Sequence, residues 1–382
     1  MSASPGTFIL ALMDPSVCTS WLEVDLAAIK NNIQLLKQMT SKPVMAVVKA
    51  NAYGHGMPDV VKAVSDAGVG WFGVARVEEA VQVLDVAPQS RVLVMGYTPP
   101  QMVAEAVRRH ITLAVYDYDT AVMYSDKAGE SGGTASVHIK YDTGMGRLGY
   151  NLPDVVDFAR SVISLPNLDF DGVFTHFARA DEPEQETTPQ QFDRFQQILQ
   201  TLRQNGIQPP LVHACNTSAT LNYPQAYFDM VRTGISIYGI SPSKQTILPA
   251  GFKPALAFKS RLTSVKTLPA GHGVSYGHHY FTPQEQCIGV VGAGYADGFR
   301  RRLHSYALVR GKRVPVVGIV AMDQSMVVLD EVPEARIGDE VVLIGSQGSQ
   351  HIGAEDLAAD WGTISYEVVC GLSARLPRIY HL

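Results

Sequence analysis

The sequence predicts an α/β chain: a (β/α)8, TIM-like barrel followed by a mainly β C-terminal domain. Two features of its patterning point there. Between Val44 and Ile235, eight apolar, β-branched runs alternate with segments of helical period. After about Ser241 that rhythm gives way to successive Val-, Leu- and Thr-rich stretches separated by Pro and Gly, the pattern of an all-β domain. A doubly wound open sheet is the competing fold, but no GxGxxG follows the first strand.

Taken in order, Trp21–Val24 reads as a short strand, and Asp25 as the N-cap of a helix carrying Leu26, Ile29, Ile33 and Leu36. The barrel strands are then expected at Val44–Lys49, Trp71–Ala75, Arg91–Met95, Ile111–Tyr116, Ala135–Tyr141, Phe170–His176, Leu211–Cys215 and Met230–Ile235. Helices are expected at Pro58–Ala67, Val77–Leu84, Gln101–Arg109, Val155–Ile163 and Pro189–Arg203, with at best one turn at Ser218–Leu221. In the second domain, strands are expected at Ala257–Leu268, Cys287–Val291, Arg313–Val320, Ser325–Leu329 and Asp339–Ile344, and a short helix at Ala354–Asp360. The implied organisation is an extension over 1–20, the barrel over 21–248 and the β domain over 249–382. The strand at 21–24 is free to return to the β domain.

Composition narrows the function classes. With 382 residues, two domains are the default. Hydrophobic residues make up 46% and charged ones 18%, as in a packed globular enzyme. A net charge of -5 leaves no footprint for nucleic acid, and Arg300, Arg301 and Arg302 form the only dense basic run. The four cysteines, Cys18, Cys215, Cys287 and Cys370, have no metal or redox spacing, which suits a reducing compartment. Phe8–Met13 is too short to span a bilayer and no Lys or Arg precedes it. The expectation is a cytoplasmic protein without a membrane or nucleic-acid partner, and without a metal.

In a barrel of this kind, the C-terminal ends of the strands and the loops after them converge on one mouth. That mouth collects Lys49, Arg147, His176, Asn216, Thr217, Arg232 and Gly234. Lys49 closes a buried run and is followed by Tyr53, Gly54 and Gly56. An amine there is either a snorkelling strand-end lysine or a Schiff-base nucleophile, and the stretch alone leaves both open.

Nine segments then carry a resemblance. They are Ala46-Val-Val-Lys-Ala-Asn-Ala-Tyr-Gly-His-Gly56, Lys140-Tyr-Asp-Thr-Gly-Met-Gly-Arg-Leu-Gly149, Thr175-His-Phe-Ala178, His213-Ala-Cys-Asn-Thr-Ser218, Val231-Arg-Thr-Gly-Ile235, Val274-Ser-Tyr-Gly277, Gly294-Tyr-Ala-Asp-Gly298, Ala321-Met-Asp-Gln324 and Tyr366-Glu-Val-Val-Cys-Gly-Leu-Ser373. In this order, over about residues 21–382, they resemble the alanine racemases, fold type III enzymes dependent on pyridoxal 5'-phosphate (PLP).

The resemblance implies interconversion of L- and D-alanine by two bases on opposite faces of the α-carbon, supplying D-alanine for peptidoglycan. Lys49 would hold PLP as an aldimine and serve as one base, with Tyr276 of a neighbouring subunit as the other. The implied assembly is therefore a homodimer with shared active sites. Arg232 would face the pyridine nitrogen, supported by His176. A donor-only cation there disfavours a protonated ring nitrogen, which favours return of the proton over transamination. Phosphate binding falls to Tyr53, Thr217, Gly234, Ile235 and Tyr366, with Asn216 beside the cofactor. Arg147 and the backbone N–H of Met322 would meet the substrate carboxylate. Lys140 matches a lysine that is carbamylated in this family, giving an anion that orients the arginine.

Asp181, Tyr295, Arg301 and Ile364 fit the family's entrance pattern. Ile319 departs from it, standing where an arginine is usual, and Ala321 replaces a common cysteine or serine. Arg179 is a large cation where a smaller side chain is expected. Broader use of small amino acids such as serine is one alternative. A PLP-carrier or homeostasis protein is another, although it would need neither Tyr276 nor Met322. A decarboxylase on a related barrel would release carbon dioxide.

Overall fold

Short β-branched runs bounded by Gly, Pro and polar residues become the strands of an eight-stranded sheet, a nine-stranded sheet and a two-stranded ribbon in the computed structural model, which describes residues 14–151, 153–303 and 305–382. The Phe8–Met13 stretch lies outside the described residues. No helix among those described is long and apolar enough to cross a membrane.

The predicted barrel and β domain are both present. Strand β1 (Ser20–Asp25) precedes helix α1 (Leu26–Thr40). The barrel strands are β2 (Val44–Val47), β3 (Trp71–Val74), β4 (Arg91–Val94), β5 (Thr112–Val115), β6 (Ala135–Lys140), β7 (Leu168–Phe174), β8 (Val212–His213) and β9 (Val231–Thr233). All the pairings are parallel, running from β8 through β2 to β9. Two backbone hydrogen bonds, Asp229 to Val212 at 3.0 Å and Arg232 to Cys215 at 3.1 Å, bridge the remaining gap between β8 and β9. Met45, Leu93, Ala114, Phe174 and Met230 pack together as an apolar core cluster.

The helices of this unit are α2 (Met57–Asp66), α3 (Val77–Val86), α4 (Pro100–Arg108), α5 (Tyr118–Glu130), α6 (Val155–Ile163), α7 (Thr187–Gln204) and α8 (Thr217–Asn222). The sequence reading has no counterpart to α5. Its inward face is Ala121, Tyr124, Ser125 and Ala128, helical in spacing but mostly small or polar, so the apolar period is faint. Asp117, which caps α5 by accepting from Thr120 N–H, was the available signal.

Contact clustering divides the chain into Ile29–Lys253 and a second unit that joins Pro254–Leu382 to the residues up to Ala28. The second unit holds β10 (Leu256–Leu268), β11 (Gly273–Val274), β12 (Tyr280–Phe281), β13 (Gln286–Val291), β14 (Ser305–Val309), β15 (Lys312–Val317), β16 (Ser325–Val328), β17 (Glu340–Gln347), β18 (Gln350–Ile352) and β19 (Arg378–His381). Strand β1 lies between β10 and β19 in its nine-stranded sheet. Helices α9 (Ala354–Trp361) and α10 (Ser365–Cys370) complete this unit. Six of these elements escaped the sequence reading: β11, β12, β14, β18, β19 and α10.

Candidate active site

The first barrel strand ends at Val47, two residues earlier than the sequence suggests, because the chain turns left-handed. Ala50, Asn51, Ala52 and Tyr53 have φ of 53°, 54°, 54° and 52°. Each such residue costs about 1–2 kcal/mol when it is not glycine. Specific bonds hold the turn. Ala50 N–H donates to Glu79 Oε1 at 2.7 Å, Met57 N–H to Asn51 Oδ1 at 2.8 Å, and Ala52 N–H to the Val48 carbonyl at 2.8 Å. Glu79 also accepts from Ala75 and Arg76. Strain held in this way is typical of a functional position. Its effect here is to set half-buried Lys49 just beyond the strand end.

Arg232 on β9 is a buried guanidinium held by neutral partners. It donates to His213 Nδ1 at 2.8 Å, to the Thr175 and Ala214 carbonyls at 2.8 and 2.9 Å, and to His176 Nδ1 at 3.4 Å. Burial lowers it to about 10, so it stays charged at neutral pH. His176 is held well below its ordinary value by burial first and then by Arg232, Lys140, Arg147 and Lys49, so the imidazole is neutral. The sequence reading has His176 supporting Arg232, but His213 makes the closer bond.

Lys140, at the end of β6, is buried and lowered to about 8 by desolvation, then by Arg232 and Arg147. The acid nearest in sequence, Asp142, is engaged elsewhere. Its oxygens accept from Gly144, Met145 and Gly146 N–H at 2.7–2.9 Å, an Asx-type turn that shapes the loop carrying exposed Arg147. Gln191 on α7 ties this loop to the one after β7. It accepts from Ala178 N–H and donates to Thr143 Oγ1 and to the His176 carbonyl. Arg179 swings outward to pair with Glu182, so its bulk does not enter the group around Arg232.

A second set of groups is polar and neutral. Asn216 caps α8 by accepting from Ala219 N–H, and Thr217 Oγ1 accepts from Gly234 N–H at 3.0 Å. Ile235 opens a short 3-10 turn beside Ser236. A Cβ on Gly234 would sit 2.4 Å from the Tyr53 hydroxyl, and the Tyr53 ring is backed by Tyr238 at 5.2 Å between centroids. Gly234→Ala is therefore expected to push Tyr53 from its place. Overpacking of this kind costs about 1–3 kcal/mol, read as a lower denaturant midpoint.

Within the β unit, the remaining predicted residues fall into two groups. Ser275 Oγ donates to the Ile319 carbonyl at 2.6 Å, and Tyr295 and Ala296 N–H donate to the carbonyls of Ala321 and Met322 at 3.0 Å. Tyr276 and Ala321 line one cavity. Tyr276 is 69% and Met322 53% exposed, whereas the Ile319 side chain is buried within its own unit. Ile364 and Tyr366 open α10, and Glu367 on that helix pairs with Arg300 while Arg301 is exposed. Asp181, in the barrel unit, follows β7, and its carbonyl accepts from Thr246 Oγ1 at 2.9 Å.

Comparison with known proteins decides the family. Residues 24–242 match the model of the alanine racemase N-terminal domain, and 255–380 that of the C-terminal domain. The alanine racemase of Symbiobacterium thermophilum is 43% identical over 365 residues, covering 94% of this chain and 97% of that protein. The chain belongs to the alanine racemase family. The alanine racemase of Bacillus anthracis, solved with bound L-Ala-P, superposes with a TM-score of 0.91 at 38% identity, covering 97% and 96% of the two chains. A histidine racemase from Leuconostoc mesenteroides shares the fold at a TM-score of 0.87 and 31% identity, covering 97% and 99%.

The residues present fit the cofactor of this PLP-dependent family. A primary amine stands beyond the first strand, and buried Lys140 and Arg232 have no carboxylate bonded to them among the described residues. Gly234, having no Cβ, also lets the Tyr53 hydroxyl lie against its backbone, beside the Thr217 hydroxyl that accepts from its N–H. Such a set suits an anionic, carbonyl-bearing ligand.

Proposed function

We propose that this chain is a homodimeric, cytoplasmic alanine racemase that uses PLP on Lys49 and supplies D-alanine for peptidoglycan. The observation that carries the reading is the pairing of a strained Lys49 turn with a buried Arg232 that keeps its charge among neutral partners. PLP supplies a carbonyl to condense with the substrate amine and a conjugated ring to accept the electron pair left when the α-proton departs.

The chain's own residues do the rest. Lys49 anchors the group and exchanges a proton on one face of the α-carbon. Tyr276 of the partner subunit serves the other face, and its exposure in the single chain suits that role. Arg147 binds the substrate carboxylate through its fork, assisted by the backbone N–H of Met322. Tyr53, Thr217, Gly234, Ile235 and Tyr366 receive the phosphate, with Asn216 alongside. Arg232 offers only N–H donors, so a ring nitrogen facing it remains an acceptor. Tyr295, Ile364 and Met322, all exposed and apolar in part, suit burial by a second copy. Asp181, Tyr295, Arg301, Ile319 and Ile364 would line the entrance.

Lys140 is proposed to be carbamylated. Carbon dioxide adds only to a neutral amine. At pH 7 a base of pKa about 8 is roughly 10% neutral, against about 0.03% for an ordinary lysine. Burial thus prepares the amine, and the resulting anion offsets Arg232 and Arg147. With 13C-bicarbonate, a carbamate carbonyl resonance is expected to grow between pH 6 and 9 and to be missing from Lys140→Ala. Its absence in the unmodified protein at pH 9 would sink the assignment.

The function is tested with a panel of L-amino acids and a chiral product assay. D-alanine should form with no release of carbon dioxide, and serine should be a poor substrate. Equal turnover of several small amino acids would replace the narrow reading with a broad-specificity racemase.

A further inference from the structure

A chain of buried polar groups runs from Arg232 through the barrel interior to the far end of its strands. Arg232 Nη1 lies 2.8 Å from His213 Nδ1, His213 Nε2 lies 2.9 Å from His138 Nδ1, and His138 Nε2 lies 2.9 Å from Asp171 Oδ2. Arg91 Nη2 then donates to the same oxygen at 2.6 Å. Both imidazoles are fully buried. His213 stacks on Phe174 at 4.9 Å, and Trp71 and Phe174 flank His138.

The two ends dictate the direction of every bond. A guanidinium only donates and a carboxylate only accepts. His213 must therefore accept at Nδ1 and donate from Nε2, and His138 must do the same. This is the only arrangement of two neutral imidazoles in which each contact has one donor and one acceptor. Burial disfavours charging either ring.

The backbone is shaped for this chain. Strand β7 carries an extra residue opposite β6, because Val137 pairs with Phe170 whereas His138 pairs with Gly172. The skipped residue is Asp171, and a bulge re-aims the side chain it carries. A Cβ on Gly172 would come within 2.9 Å of His138 Nε2 and 2.8 Å of the Leu211 carbonyl, so glycine is needed beside the ring. At the outer end, Arg91 stacks over Trp71 at 4.1 Å and lines an open cavity of about 480 Å³ with Thr112 and Ser136.

We propose that Asp171 is a positioning residue for Arg232: its charge, transmitted by the ordered hydrogen bonds of His138 and His213, orients the guanidinium and adds a distant counter-charge to the anion proposed at Lys140. Orientation and charge of Arg232 are then set at the opposite end of the barrel from the reacting atoms. The functional consequence rests on the proposed role of Arg232 toward the cofactor ring, whereas the relay itself does not. Lys140, His176 and Cys215 are the other titratable groups near Arg232. Burial pushes the Cys215 thiol up to about 12 and keeps it neutral, so none of the three supplies an anion unless Lys140 is modified.

The test uses the PLP-loaded enzyme with 15N-labelled histidine. In the unmodified protein, His138 and His213 should both appear as the neutral Nε2–H form, protected from exchange. Asp171→Asn keeps an oxygen acceptor and removes only the charge. It should shift both N–H resonances and lower kcat about tenfold, as for other supporting partners of a site. KM for alanine should be unchanged, and the fraction of turnovers lost to transamination should rise. Resonances that stay in place overturn the relay. Resonances that move while kcat and transamination do not overturn the positioning role, because a purely structural network would alter stability alone. Should Asp171→Asn fail to fold, Arg91→Gln at the open end is read in the same way. A shifted His138 resonance supports the relay, and an unmoved one refutes it.

Discussion

Lys49→Ala is expected to abolish racemisation and to remove the visible absorbance of the bound cofactor while leaving the fold intact. The left-handed turn is held by Glu79, Asn51 and the Val48 carbonyl, none of which needs the lysine side chain. The loss should therefore be chemical rather than structural. Removing a positioned acid–base group costs about 10²–10⁴-fold in rate, and losing the covalent anchor adds to that. Added methylamine should restore part of the proton transfer on the lysine's face. Unchanged absorbance in Lys49→Ala, by spectrophotometry after dialysis, would mean that another amine holds the cofactor.

Tyr276→Phe should behave differently. The substitution keeps the ring and removes only the hydroxyl, and the barrel residues proposed to receive PLP are untouched. Cofactor absorbance should survive. Racemisation should fall by about 10²–10⁴-fold, the loss expected for a positioned acid–base group. The effect should be more severe starting from L-alanine, whose α-proton the tyrosine is proposed to take. Rates from each enantiomer, followed by circular dichroism, give the comparison. Full activity in both directions would refute the two-base assignment.

Much of this molecule is legible in the chain because the barrel repeats a simple period. Buried parallel strands read as apolar runs, so β2 to β9 stand out, even where β8 shrinks to two residues. Elements with weak apolar contrast did not stand out, and α5 with its Ala, Ser and Tyr face is the example. The proposed site can be read wherever its residues sit in contiguous motifs, as around Lys49 and Lys140. Its supports were not. Glu79 reaches across 29 positions to Ala50 N–H, and Gln191 reaches 48 to Thr143. The Asp171 bulge is invisible for a related reason. A skipped pairing depends on the neighbouring strand, and Phe170-Asp-Gly-Val-Phe174 reads as ordinary alternation. The left-handed turn at Lys49 is hidden too, since Ala, Asn and Tyr rarely adopt it together.

The two-base account is tested most directly by turning over L-alanine in deuterium oxide and measuring the α-position of the first D-alanine formed. If Tyr276 removes the proton from one face and Lys49 delivers another to the opposite face, the two protons never mix. The D-alanine should then carry solvent deuterium from the first turnover, while the L-alanine remaining keeps most of its protium. D-alanine that retains the original proton would contradict the account, because one base would then have carried it from face to face.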